Sequence, residues 1–242
     1  MNRALFNRRA RQLHLWLGLA IGAQVGLWLI SGLFMTWFPI EEVRGEHLRT
    51  EMEPAAFTNI SDLLTPDAIL EKSEVAADSL SLHFLLEKPV WRVSGDGKRK
   101  LVDATTGDII SPLSEEMAIG LAQSSYSGEG AIVSSTFLTE PPREYGRPGP
   151  VWKVNFGPDH AASFYVDASM GEVRAVRTTL WRVFDFMWGL HIMDWSTREN
   201  FNSWWIKMTA SLAIVFFFAG LCLSILRVMS WIGQKSRRTP AP

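Results

Sequence analysis

"RQLHLWLGLAIGAQVGLWLISGLFMTWF", residues 11–38, decides the architecture. From Leu13 to Phe38 it runs 26 residues without a charged side chain, enough to cross a hydrocarbon core of roughly 30 Å as a helix. A second uncharged run, "MTASLAIVFFFAGLCLSIL" at 208–226, covers 19 residues. Two membrane spans follow, assigned to 13–38 and 204–228. The chain averages of 47% hydrophobic residues and a net charge of −1 over 242 residues hide them.

Charge gives the spans a direction. The basic tail 1–12 holds Arg3, Arg8, Arg9 and Arg11 without an acid, and the segment after the second apolar run holds Arg227, Lys235, Arg237 and Arg238 without one. Eight of the 24 basic residues sit there, leaving 16 against 25 acids between the runs. Basic flanks stay in the cytoplasm, so both termini, including the tail 229–242, are expected inside and residues 39–203 outside. Trp37, Trp204 and Trp205 fall at the outer ends, where interfacial aromatics belong. A cleaved signal peptide has a shorter apolar part and a small-residue cleavage site. The first span is therefore read as an uncleaved anchor. Cys222, the single cysteine, lies in the second span, so the outer segment is expected to fold without disulfides or cysteine-bound metal.

That outer segment repeats itself. "VWRVSGDGKRKLVDATTGDII" at 90–110 matches "VWKVNFGPDHAASFYVDASMGEV" at 151–173, aligning Trp91 with Trp152, Asp103 with Asp167 and Gly107 with Gly171. Alternating β-branched and aromatic residues around turn residues predict a hairpin in each. The two aspartates are expected to accept backbone N–H groups at the start of a turn, and the two glycines to supply the positive φ that ends it. An amphipathic stretch precedes each hairpin, "TPDAILEKSE" from 65, with proline at the first helical position, and "SEEMAIGLAQSS" from 114. The predicted fold is membrane α plus extracytoplasmic α+β, with two transmembrane helices flanking two helix-then-hairpin units.

The pattern W-x-V followed by V-D-A-x-x-G-[DE]-[IV] resembles the PepSY domain. "R-x-L-H-x-W-L-G-L", Arg11 to Leu19, resembles the opening helix of PepSY-associated transmembrane proteins. The resemblance implies PepSY-like repeats at 39–112 and 113–177, joined to the second span by an interfacial helix and connector at 178–203. Larger members of the group are similar to iron-regulated membrane proteins and siderophore-linked ferric reductases, in which histidines on about four membrane helices hold haem. The resemblance thus implies haem b as a cofactor.

Five histidines are available, and His47, His83 and His160 lie in polar outer segments without a second ligand at a convincing spacing. His14 stands one turn inside the first span, with Gly18, Gly22 and Gly26 following at intervals of four on one helix stripe. Small residues at that spacing let another helix approach closely. His14 reads either as a haem-iron ligand beside a helix contact or as an interfacial side chain reaching the headgroups. His191 ends an amphipathic pattern formed by Leu180, Val183, Phe184, Met187, Trp188 and Ile192. It reads either as an iron ligand oriented by Asp194 or as a histidine favoured at a helix C-terminus. "LHIMDW…ENFN" is similar to the segment before the last helix of small PepSY membrane proteins.

The length of the span places His14 near the cytoplasmic face and His191 near the outer one, so the two do not share one iron. A two-fold homodimer would pair each with its counterpart and assemble four helices. No nucleotide-binding glycine motif is visible, so electrons would come from a separate donor. No hydrolase motif and no nucleic-acid surface appear either. Arg143, Tyr145 and Arg147 in "TEPPREYGRPGP" read as a solvated loop or an anion-receiving one, and Lys207 as a snorkelling side chain. Two functions compete: a haem-binding subunit for transmembrane electron transfer, and a non-enzymatic accessory protein whose outer domain binds a partner. A plain structural anchor is the third.

Overall fold

A computed structural model describes residues 3–50, 61–157 and 162–238. The elements in chain order are α1 (Arg3–Trp37), α2 (Ile40–Val43), a 3-10 turn (Glu46–Leu48), α3 (Pro66–Ser73), β1 (Ser79–Leu85), β2 (Lys88–Gly95) and β3 (Lys98–Asp103). Then come α4 (Glu115–Ser124), β4 (Ala131–Leu138), a 3-10 turn (Arg143–Tyr145), β5 (Val151–Gly157), β6 (Ala162–Asp167), β7 (Glu172–Arg177), α5 (Thr179–Ile192) and α6 (Trp204–Arg238). They divide into two compact units, one of residues 1–37 with 185–242, the other of residues 38–184.

The first unit contains the two helices long and apolar enough to cross a membrane, Leu15–Trp37 and Trp204–Ile232. Leu15, Trp16, Leu29, Ile30 and Leu33 on α1, and Val215, Phe217 and Phe218 on α6, are exposed. Such surfaces suit lipid rather than water. α5 ends with Met193 in the left-handed region at φ 54°. The Asp194 N–H reaches the Gly189 carbonyl at 3.2 Å and the Met193 N–H the Leu190 carbonyl at 3.4 Å, a Schellman closure.

The second unit is built from two antiparallel sheets, ordered β1-β2-β3 and β4-β5-β6-β7. In each, the residues pointing to one side are covered by the helix that precedes the sheet in sequence. Trp91, Val93 and Val102 close over Ile69 of α3, while Val154, Phe156, Phe164 and Val166 close over Ala118, Leu121 and Ala122 of α4. Ser114 caps α4, accepting from the Met117 N–H at 3.3 Å, and Pro66 occupies the first turn of α3.

The opposite sides differ. Val90 and Leu101 of the first sheet join the core around α4, and Arg92 Nε donates to the Met170 carbonyl at 2.9 Å. The first sheet therefore packs on α4 and on the turn that carries Met170. On the second sheet the corresponding side, Val151, Tyr165 and Ala175, is covered by Tyr145 from the loop between β4 and β5. Where the sequence predicts helix then hairpin, the structure has an additional strand before each hairpin, β1 and β4, and a further one, β7, after the second.

Candidate functional site: His191 against the first span

Three residues in the interior of α1 carry the site. Ser31 is buried, 1% exposed, although it lies in an apolar span. Its hydroxyl reaches the Leu27 carbonyl at 2.7 Å and the Trp28 carbonyl at 3.2 Å, the usual resting partners of a helical serine. The same oxygen is 3.1 Å from Nδ1 of His191. The ring lies beside Gly32, where a Cβ would be in ordinary van der Waals contact, 3.5 Å from its Cε1. One turn before Ser31, the Trp28 Nε1–H is buried and has no acceptor among the described residues. His191 Nε2 likewise makes no hydrogen bond to any described residue.

The end of α5 is held firmly. Thr178 caps its start, accepting from the Trp181 N–H at 3.1 Å. Arg198 pairs with Asp185, its side chain lies over Gly189, where a Cβ would be 2.9 Å from Nε, and its carbonyl accepts from Trp188 Nε1 at 2.9 Å. Asp194, expected to orient the imidazole, does something else. Its carboxylate accepts from the N–H groups of Ser196, Thr197, Glu199 and Asn200 and from the Thr197 hydroxyl, so both oxygens are spent on the connector. Those bonds, the Thr197 hydroxyl foremost, hold its carboxyl well below the usual carboxylate range. The partner at the His191 ring is instead Ser31, at Nδ1. A lone serine in an apolar span was the available signal, because polar groups are expensive there.

The remaining predicted residues are placed as follows. His14 falls in α1, and its side chain lies outside the described residues, as does His160. Gly18 meets Phe216 of α6, at 3.8 Å from where a Cβ would be, whereas Gly22 and Gly26 have nothing within 4 Å. His47 is exposed, and His83 Nε2 sits 3.0 Å from the Ser81 hydroxyl. Lys207 and Cys222 are exposed on α6. Among the described residues no three His, Cys, Asp or Glu side chains cluster around a common metal position.

In the sheet unit both repeat turns take the expected form. Asp103 accepts from Thr105 and Thr106 N–H at 2.8 and 3.0 Å, Asp167 from Ser169 and Met170 N–H at 2.9 and 3.1 Å, and Gly107 and Gly171 have φ of 77° and 63°. Trp152 Nε1 donates to the Leu113 carbonyl at 2.9 Å, whereas Trp91 Nε1 is buried without a partner among the described residues. In the 143–147 loop the inward groups are Glu144 and Tyr145, while Arg143 and Arg147 are exposed. Burial works to raise the Glu144 pKa, but bonds from Arg182, Tyr165 and Lys153 outweigh it and hold it down to about 2. Tyr165 is pushed up by burial and by that carboxylate.

The chain matches the family model of the PepSY-associated TM region over residues 11–241. It belongs to the PepSY-associated transmembrane family. This PepSY-associated protein is thus a membrane protein with two apolar helices and a sheet-rich domain. No curated protein and no solved structure matches it. His191 of this family member has Nδ1 engaged by Ser31 and Nε2 without a partner among the described residues.

Proposed function

We propose that this protein is a haem b-binding subunit that carries electrons across the bacterial inner membrane as a homodimer, receiving them from a separate donor and delivering them on the periplasmic side, to ferric iron or another acceptor. The observation that carries the proposal is the pairing of His191 Nδ1 with Ser31 at 3.1 Å, with Nε2 left without a partner among the described residues. Metal-ligating histidines have their other ring nitrogen held by a protein partner that fixes tautomer and orientation, and the buried Ser31 hydroxyl stands in that place for His191. Haem supplies a one-electron ferric/ferrous couple when its iron is bound by such imidazoles.

The chain's own residues supply position and separation. His191 lies beside Ser31, 17 residues beyond His14 along α1, or about 26 Å of helix rise. One iron cannot join them, and each histidine is assigned to its own haem, paired with its counterpart on a second copy. Gly22 and Gly26, open in the single chain, support a close helix contact in that dimer. Each sheet with its preceding helix is assigned as one PepSY-like repeat, 39–112 and 113–177, on the evidence of the shared Asp and Gly turns. The basic flanks support cytoplasmic termini with residues 39–203 outside.

The test is the absorption spectrum of the detergent-purified protein expressed with ample haem, oxidised and then dithionite-reduced, beside His14→Ala and His191→Ala. A Soret band with sharp reduced α and β bands, lost in two stages by the two variants, is expected. A flat wild-type spectrum overturns the reading and leaves the accessory role of the sheet domain in its place.

A further inference from the structure

We propose that Ser31 is a positioning residue that fixes His191 in its Nδ1–H tautomer and thereby presents the Nε2 lone pair to an iron atom. The second half rests on the haem reading above. The first half follows from proton counting. A serine hydroxyl owns one proton and two lone pairs, and Ser31 has a carbonyl of its own helix, Leu27, at 2.7 Å. With the proton committed there, the contact of 3.1 Å to Nδ1 is one in which Oγ accepts and the ring nitrogen donates. A neutral imidazole has a single N–H, so Nε2 carries the lone pair. The opposite tautomer would require Ser31 to release its carbonyl and turn its proton to the ring, exchanging a short bond for a longer one in a low-dielectric span.

The surroundings leave the ring little room to escape this choice. It lies against Gly32, and the helix that carries it is closed by the Schellman turn and clamped by Arg198 on Asp185. The second observation is Trp28. Its Nε1–H is buried without an acceptor among the described residues, and it stands three residues before Ser31, on the same face of α1. Trp28 and Ser31, the partner of the imidazole, thus lie one turn apart on α1.

The experiment uses the full-length protein in detergent micelles, labelled with 15N-histidine and free of haem. The two-bond 1H–15N correlation of His191, assigned by its loss in His191→Ala, is expected to show protonated Nδ1 and unprotonated Nε2. Ser31→Ala is expected to redistribute the tautomers and Ser31→Thr to restore the wild-type pattern. A wild-type His191 protonated at Nε2, or a pattern indifferent to Ser31→Ala, overturns the assignment. Haem-loaded samples then report the consequence. Ser31→Ala is expected to weaken haem retention at the His191 site roughly tenfold and to shift its midpoint potential, with recovery in Ser31→Thr. If the apo protein shows the Nδ1–H form but the wild type takes up no haem, the haem reading falls and the tautomer assignment stands. If haem binds and both tautomer and potential ignore Ser31→Ala, the positioning role falls and the haem reading stands.

Discussion

Arg182, in the first turn of α5, donates through Nε to the Glu144 carboxylate at 2.9 Å. Glu144 comes from the loop between β4 and β5 and also accepts from Tyr165 and Lys153, so one carboxylate ties a loop, a sheet face and the start of a helix. Its folded pKa of about 2 lies below the unfolded value of roughly 4.3. The stability it contributes is full above the unfolded pKa and is lost as pH falls through the folded one. Glu144→Gln is expected to destabilise the sheet unit by about 2–4 kcal/mol at pH 7, because three donors lose their charged partner. In thermal melts of the detergent-solubilised protein the gap between wild type and variant should narrow between about pH 4.5 and 2.

Equivalent aspartates should differ in worth. Asp167 is buried and also accepts from Arg99 of the first sheet at 2.8 Å, whereas Asp103 is less enclosed and serves its own turn, with Thr105 and Thr106. Asp167→Ala is expected to cost about 3 kcal/mol or more and Asp103→Ala about 1 kcal/mol, read by chemical denaturation. Equal costs would contradict the asymmetric docking of the two halves.

Glycines sort in the same manner. Gly171 has positive φ and a Cβ there would come within 2.6 Å of Leu85, so Gly171→Ala is expected to destabilise by about 2 kcal/mol or more. Gly22 and Gly26 have open space in the single chain. Replacing both by Ile should leave the melting of the sheet unit unchanged and shift the protein from dimer to monomer in light scattering. A monomeric wild type would remove the dimer from the proposal.

The connector after α5 hangs on one carboxylate. Asp194→Ala is expected to raise amide exchange across residues 195–200 and to expose the segment to limited proteolysis, with Asp194→Asn intermediate because one acceptor oxygen survives.

Much of this was legible beforehand. Long uncharged runs mark membrane helices whatever the rest of the chain does, and the V-D-A-x-x-G turns declare themselves because carboxylate and glycine are both required locally. β1 was hidden because its hairpin turns through Leu86 and Glu87, both at positive φ without glycine or asparagine to signal it. β4 was hidden by serines and by a bulge between Ile132 and Ser134 that breaks its alternation. The pairing of Ser31 with His191 was hidden by a separation of 160 positions in sequence. Asp194 was a reasonable guess by proximity, but a short polar side chain just past a helix end finds the free N–H groups of its own turn first.

The covering of the second sheet by Tyr145 has a consequence for how such a chain lengthens. Duplication of the helix-and-sheet module after residue 177 would find its docking surface already taken by the 143–145 loop. A module inserted ahead of Pro66 would instead meet the exposed outer side of α3. The two ends of the sheet unit thus differ: the side of the second sheet away from α4 is covered by Tyr145, whereas the outer side of α3 is open.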